Sequence, residues 1–491
     1  MRASGILLPV FSLPSPYGIG GFGAAAYAFI DFLARAKQRY WQMLPMGPTG
    51  YGDSPYQSFS TFAGNPYFID LTALRDEGLL TDEELNAEPI PGDARRVEYG
   101  TLFTHRLALL KKAGRRFLET PAYRDFLSAN ADWLDDYALF MAIKEENGHR
   151  SWQEWPVPLK TRAAGALKEA RARLRDVIYF HRFVQYAFYA QFGRLKAYAA
   201  QKGIQLIGDI PIYVAMDSAD TWTRPDLFRL DASLTPEFVA GCPPDYFSST
   251  GQLWGNPVYR WPAHEQEGYA WWIRRVRAAF TLYDAVRIDH FRGFASYYEI
   301  PYGHDTAEFG TWRPGPGMSL FTAVKQSLGD LPIIAEDLGL LTPDVTQLLR
   351  DTRLPGMKVL QFAFDGGADN SHLPHRFIPN CVVYTGTHDN ATSREWYARA
   401  AKDVKIHAKR YLAFSGREGC AVGLIRGIWS SVADTAIAPL QDFLGLGAES
   451  RMNTPSTLGK NWMWRALASD FTDELIKGIA DITELYERDG R

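Results

Sequence analysis

The sequence predicts an α/β protein built on a closed eight-stranded (β/α)8 barrel. Three observations carry that reading. About eight short apolar runs of β character are spread over the 491 residues. Each is followed by a loop and usually by a segment of helical period, which argues a parallel sheet. Eight such repeats suit a closed barrel, with a doubly wound open sheet as the alternative.

The runs come in order. Ile6 to Val10 and Tyr40 to Leu44 open the series, and Ile204 to Asp209 and Ala285 to Asp289 are stronger. Pro332 to Glu336, Val359 to Phe364, Cys381 to Thr385 and a last run near Asp434 to Ala438 complete it. Between them, Phe180, Phe183, Val184, Ala187, Phe188, Gln191, Phe192 and Leu195 fall mostly at helical spacing, and Gly203 ends that helix just before a strand. Tyr269 to Leu282 repeats the arrangement. The stretch 80–176 is charged and helix-rich, includes Trp133 to Glu146, and is too long for a simple connection. It is expected as a helical insertion between strands two and three of one barrel domain spanning 1–491. No internal repeat or low-complexity segment interrupts this order.

Composition narrows the function classes. Hydrophobic residues make up 46% and charged residues 22%, an ordinary globular balance, and the net charge of −3 offers no basic surplus for nucleic-acid phosphates. The three cysteines, Cys242, Cys381 and Cys420, lie far apart, which fits a reducing compartment and gives no disulfide framework or zinc spacing. The apolar run before Pro9 is too short for a signal peptide, and no run of about 18 apolar residues occurs to span a membrane. A cytoplasmic protein is expected.

The chemistry-bearing residues stand at strand ends. In Arg287-Ile288-Asp289, alternation puts Arg287 and Asp289 on one face and Val286 and Ile288 on the other. The polar pair then points into the barrel near its C-terminal mouth, where barrel enzymes keep their chemistry. Arg287 is expected to keep Asp289 ionised, although a purely structural buried ion pair explains the same two residues. Ile333-Ile334-Ala335-Glu336-Asp337 ends in two carboxylates, and parity alone does not choose which faces inward; Asp337 also suits a capping role. Thr385-Gly386-Thr387-His388-Asp389 is a third apolar strand with a polar turn, where the plain reading is an Asx turn. His388 has no partner at metal-ligand spacing. Carboxylates from three strands of one barrel are able to converge on one mouth, and paired carboxylates flanking a glycosidic bond are the machinery of glycosidases and transglycosidases.

With those motifs, the chain resembles the amylomaltases, or disproportionating enzymes, of glycoside hydrolase family 77 in the α-amylase clan. The resemblance runs through Gly5 to Pro9, Ser15 to Gly20, Trp41 to Pro45, Ser54 to Gln57, Gly208 to Val214, Arg451 to Pro455 and Asn461-Trp462. It implies a TIM barrel with inserted, largely helical subdomains and no organic cofactor or catalytic metal. It implies Asp289 as nucleophile, Glu336 as general acid/base and Asp389 as a third carboxylate gripping sugar hydroxyls. Arg287, His388, Tyr56 and Asp209 match substrate-binding positions, as do Asn453 and Pro455. The stretch 241–263, with Tyr246, Phe247 and Trp254, resembles an aromatic acceptor-side loop; without the resemblance, a loop tucking aromatics into the barrel rim explains it as well. Ser249 stands where the pattern has an acidic residue, and Ser456 where it has glycine.

The implied reaction is 4-α-glucanotransfer, with α-1,4-glucans and maltooligosaccharides as donors and glucose or maltooligosaccharide as acceptor. An α-amylase-like hydrolase shares its first half. A non-catalytic glucan-binding barrel predicts loss of a carboxylate, and Asp289, Glu336 and Asp389 are all present.

Overall fold

The structure is a computed structural model that describes residues 2–50, 52–87, 93–244, 248–339 and 341–490. Its strands, in chain order, are β1 (Ala3–Leu7), β2 (Tyr40–Gln42), β3 (Gln205–Ile210), β4 (Phe238–Cys242), β5 (Gln252–Pro257), β6 (Ala285–Ile288), β7 (Ser296–Pro301), β8 (Thr311–Pro314), β9 (Ile333–Ala335), β10 (Gly356–Val359), β11 (Cys381–Tyr384) and β12 (Thr435–Pro439). Eight of them form one parallel sheet in the order β10-β11-β12-β1-β2-β3-β6-β9. The two ends of that order meet: the Ala335 N–H donates to the Pro355 carbonyl at 2.9 Å, and the Met357 N–H donates to Asp337 Oδ1 at 2.6 Å. The eightfold β/α barrel is borne out.

The interior is packed, as barrel interiors are. Leu7, Ile207, Ile334, Met357, Val382 and Ile437, from six different strands, form one buried cluster. Outside it, the helix Arg175–Gln201 turns buried Phe183, Phe188, Phe192 and Leu195 toward the barrel, and Phe22 meets Phe188 edge-on at 5.0 Å. Gly203, at φ +74, supplies the left-handed turn that releases the chain into β3. Between β2 and β3 lie further helices, including Tyr99–Arg116 and Ala131–Glu146. Lys144, only 2% exposed, pairs with Asp217 beyond the end of β3 and ties these helices to the barrel.

Two differences from the sequence reading have physical causes. β1 stops at Leu7 because Pro9 has no N–H for a ladder, and Val10–Ser12 form a short 3-10 turn. β10 begins at Gly356, three residues early, and Leu360–Phe362 wind into a 3-10 turn instead of extending it. Burial of apolar side chains does not by itself distinguish the two periods. A four-stranded antiparallel sheet, β5-β4-β7-β8, was not legible in the sequence. Its strands are short and interrupted by Gly, Pro and charged residues, and Gln252–Pro257 lies within the stretch read as a loop. The buried Glu299 in β7 is held there by Arg229 and Arg313. Among the described residues, no helix is long and apolar enough to cross a membrane.

Asp337 closes the barrel from a buried position. Asp337→Ala leaves the Met357 N–H without its acceptor, and urea unfolding is expected to show a loss of about 1–3 kcal/mol.

Candidate active site

β3 and β6 are neighbours in a register that sets Asp209 opposite Arg287. Both side chains therefore enter the barrel together. Arg287 Nη1 pairs with Asp209 Oδ2, and Nη2 donates to Asp289 Oδ1 at 2.7 Å. Burial works against the guanidinium charge, but Asp209, Asp289 and their neighbours hold its proton far more tightly than usual. The Arg287 side chain is 4% exposed and that of Asp289 28%, so the pair is sealed at the cation and open at the carboxylate.

Glu336 follows β9, beside β6, and its two oxygens accept backbone N–H groups from His290 (2.8 Å) and Leu338 (2.8 Å). His290 is left-handed at φ +51, and that kink aims its amide at Glu336. Parity left Glu336 and Asp337 open; the structure turns Asp337 back to Met357 and leaves Glu336 at the mouth, partly exposed. Burial, with the charge of Asp289 second, pushes Glu336 up to about 7. Burial also pushes Asp289 up to about 6, against the pull of Arg287. Desolvation outweighs the charge of Arg287 here, so Asp289 is a carboxylate only above about 6.

Asp389 sits in the turn after β11. Asn453 Nδ2 donates to its Oδ1 at 2.6 Å, and His388 Nε2 lies 3.3 Å from its Oδ2. Burial opposes its charge, but His388, Asn453 and Arg287 hold its carboxyl well below the usual carboxylate range. The Tyr56 hydroxyl links the two sides, donating to Asp209 Oδ2 at 2.8 Å and standing 2.8 Å from His388 Nε2, with its ring stacked on the imidazole at 5.3 Å.

The structure thus gathers Tyr56, Asp209, Arg287, Asp289, Glu336, His388, Asp389 and Asn453 at one mouth. Pro455 lies exposed further along the Asn453 loop. Trp254 sits on β5 with its ring edge-on to His290 at 4.7 Å. Tyr246 and Phe247 lie outside the described residues. Ser456 takes φ +63, a conformation in which glycine is unstrained. Three residues had no role in the sequence reading. Arg451 bonds the Asp389 carbonyl at 3.1 Å, Trp462 flanks both Tyr56 and His388, and His290 presents its amide. The motif residues Arg451 and Trp462 were visible, but nothing local tied them to Asp389. Among the described residues, no group of three or more His, Cys, Asp or Glu is arranged to hold a metal ion.

Fold and site together define a β/α-barrel protein of the glycosidase and transglycosidase kind, with carboxylates from three strands at one mouth. A family model described as 4-alpha-glucanotransferase matches residues 8–469, and the chain belongs to that family, glycoside hydrolase family 77. A 4-alpha-glucanotransferase of Streptococcus pneumoniae is 49% identical over 492 residues, covering 99% of this chain and 97% of its own. One from Thermus thermophilus is 48% identical, covering 98% and 99%. The solved amylomaltase from Streptococcus agalactiae in complex with acarbose matches with a TM-score of 0.97 at 42% identity, over 99% of this chain and 100% of that one.

The raised carboxyl makes a stability prediction. Glu336 binds its proton more tightly folded than unfolded, so the folded state loses ground as pH rises from 4.5 to about 7. Glutamine does not titrate. The stability of Glu336→Gln relative to the parent is expected to climb across that window and level off above it, as urea unfolding at a series of pH values will show.

Proposed function

We propose that this chain transfers a segment of an α-1,4-glucan to the 4-hydroxyl of an acceptor glucose or maltooligosaccharide by a retaining double displacement. The observation that carries the reading is the contrast between neighbouring carboxyls: Asp289 bonded to a buried Arg287, and Glu336 held protonated up to about 7 beside it.

In the first half, Asp289 attacks the anomeric carbon while the Glu336 proton passes to the glycosidic oxygen and the leaving sugar departs. In the second, Glu336 removes the proton from the acceptor 4-hydroxyl, whose oxygen attacks the same carbon and displaces Asp289. Two inversions give retention. Asp389, held ionised, grips hydroxyls of the sugar and stabilises the positive charge that develops at the transition state. Tyr56, Asp209, Arg287 and His388 hold that sugar, and Asn453 fixes Asp389. Trp254, together with Tyr246 and Phe247, offers flat apolar faces on the acceptor side. The donors are α-1,4-glucans and maltooligosaccharides. Widely spaced cysteines and the family chemistry support a cytoplasmic setting.

Incubation with maltotriose tests the reading: a ladder of longer maltodextrins with free glucose is expected, and only shorter sugars would identify a hydrolase. Asp289→Ala is expected to abolish covalent labelling and turnover. Glu336→Gln should lower kcat by about 10²–10⁴ while sugar binding persists; a variant keeping most of its rate refutes the acid/base role. The kcat/KM profile should be bell-shaped, falling on the acid side as Asp289 is protonated near 6 and on the alkaline side as Glu336 ionises near 7. Both values belong to the pair.

A further inference from the structure

We propose that the turn 302–310, between β7 and β8, is a remote docking platform for the outlying part of a long α-1,4-glucan chain; this rests on the transfer reading above. Tyr302 is 53% exposed and Phe309 72%, and both stand at the ends of this one turn. One exposed apolar ring needs no explanation, but two at the ends of a fixed turn beside the substrate loop do.

The turn is held in place from two sides. From beneath, the Tyr298 hydroxyl donates to the Ala307 carbonyl at 3.1 Å and accepts the Gly310 N–H at 2.9 Å. From the side, the Ala307 N–H donates to the Thr250 carbonyl at 3.0 Å, on the loop that leads from β4 to β5. The turn therefore borders that loop through a backbone that is already ordered, so little conformational entropy is lost on docking.

The composition of the turn names the ligand class. Residues 302–310 contain two aromatic rings, with His304, Asp305, Thr306 and Glu308 between them and no Lys or Arg. Phosphorylated or otherwise anionic ligands find no cation there. A neutral polyhydroxylated chain finds apolar faces for its C–H surfaces and acceptors for its hydroxyls. Glucose polymers have both properties, and only long ones extend past the loop.

The test separates length classes. Glu336→Gln protein, whose turnover is slowed about a hundredfold or more while binding persists, is titrated calorimetrically with maltotriose and with long-chain amylose, with and without the added pair Tyr302→Ser and Phe309→Ser. Amylose affinity is expected to fall about tenfold and maltotriose affinity by less than about twofold. Restoring rings with Tyr302→Phe and Phe309→Tyr should return the amylose affinity. Equal losses on both ligands, or no loss on either, overturns the platform. The wild-type maltotriose ladder is the separate arm: if it forms while amylose binding ignores the rings, the platform alone fails, and if it does not form, the transfer reading fails with it.

Discussion

Everything at the barrel mouth depends on one buried cation, Arg287, clamped between Asp209 and Asp289. Removing a guanidinium from water costs several kcal/mol, and only close carboxylates offset it. The fork geometry matters: one nitrogen serves β3 and the other serves the end of β6, a division that the point charge of a lysine does not reproduce. The pairing also fixes register. Asp209 and Arg287 are cross-strand partners, and a one-residue slip of β6 would turn Arg287 out toward the helices and bring Ile288 in. Strand order, register and the charge balance of the site are therefore one constraint.

From that clamp a chain of contacts runs around the mouth. Asp209 takes the Tyr56 hydroxyl, Tyr56 stacks on His388, His388 neighbours Asp389, and Asp389 takes Asn453. The carboxyls end in opposite states because their partners differ. Asp389 faces an imidazole and a side-chain amide as well as the field of Arg287. Glu336 also feels Arg287, but against it stands the negative field of Asp289, and its hydrogen-bond donors are backbone amides only. Partners, not burial alone, separate one group fixed as an anion from another able to carry a proton.

Much of this was legible in the sequence. Apolar runs fell on or beside all eight barrel strands, although the run from Val359 to Phe364 met its strand only at Val359, and alternation put Arg287 and Asp289 inward. Parity failed at Glu336 and Asp337 because both follow a three-residue strand, where the pleat gives way to a turn and no longer dictates direction. The choice was made by Met357, whose amide on the next strand captures Asp337. Asn453, Arg451 and Trp462 reach Asp389, Tyr56 and His388 from a loop more than sixty residues away, so only family resemblance pointed to that loop. The side sheet escaped notice because its strands are short and broken by Gly, Pro and the ion-paired Glu299, although Val239, Tyr298, Ile300 and Ala307 form a buried apolar cluster on it.

That side sheet bears on how a sugar acceptor prevails over water. In the proposed double displacement the carboxylates serve both outcomes alike, since either nucleophile loses its proton to Glu336 and attacks the same carbon. Water is always in excess, and each tenfold preference for sugar requires about 1.4 kcal/mol of binding that water does not share. In that mechanism the barrel strands do not supply it, because their polar groups are engaged with the sugar already attached. In the proposed reading those contacts come from the acceptor side, and β5, with Trp254 against His290, is the element that reaches the amide on Glu336. In the proposed mechanism, barrel and side sheet divide the work: the first carries the carboxyls that break the glycosidic bond, and the second stands where the acceptor is proposed to bind.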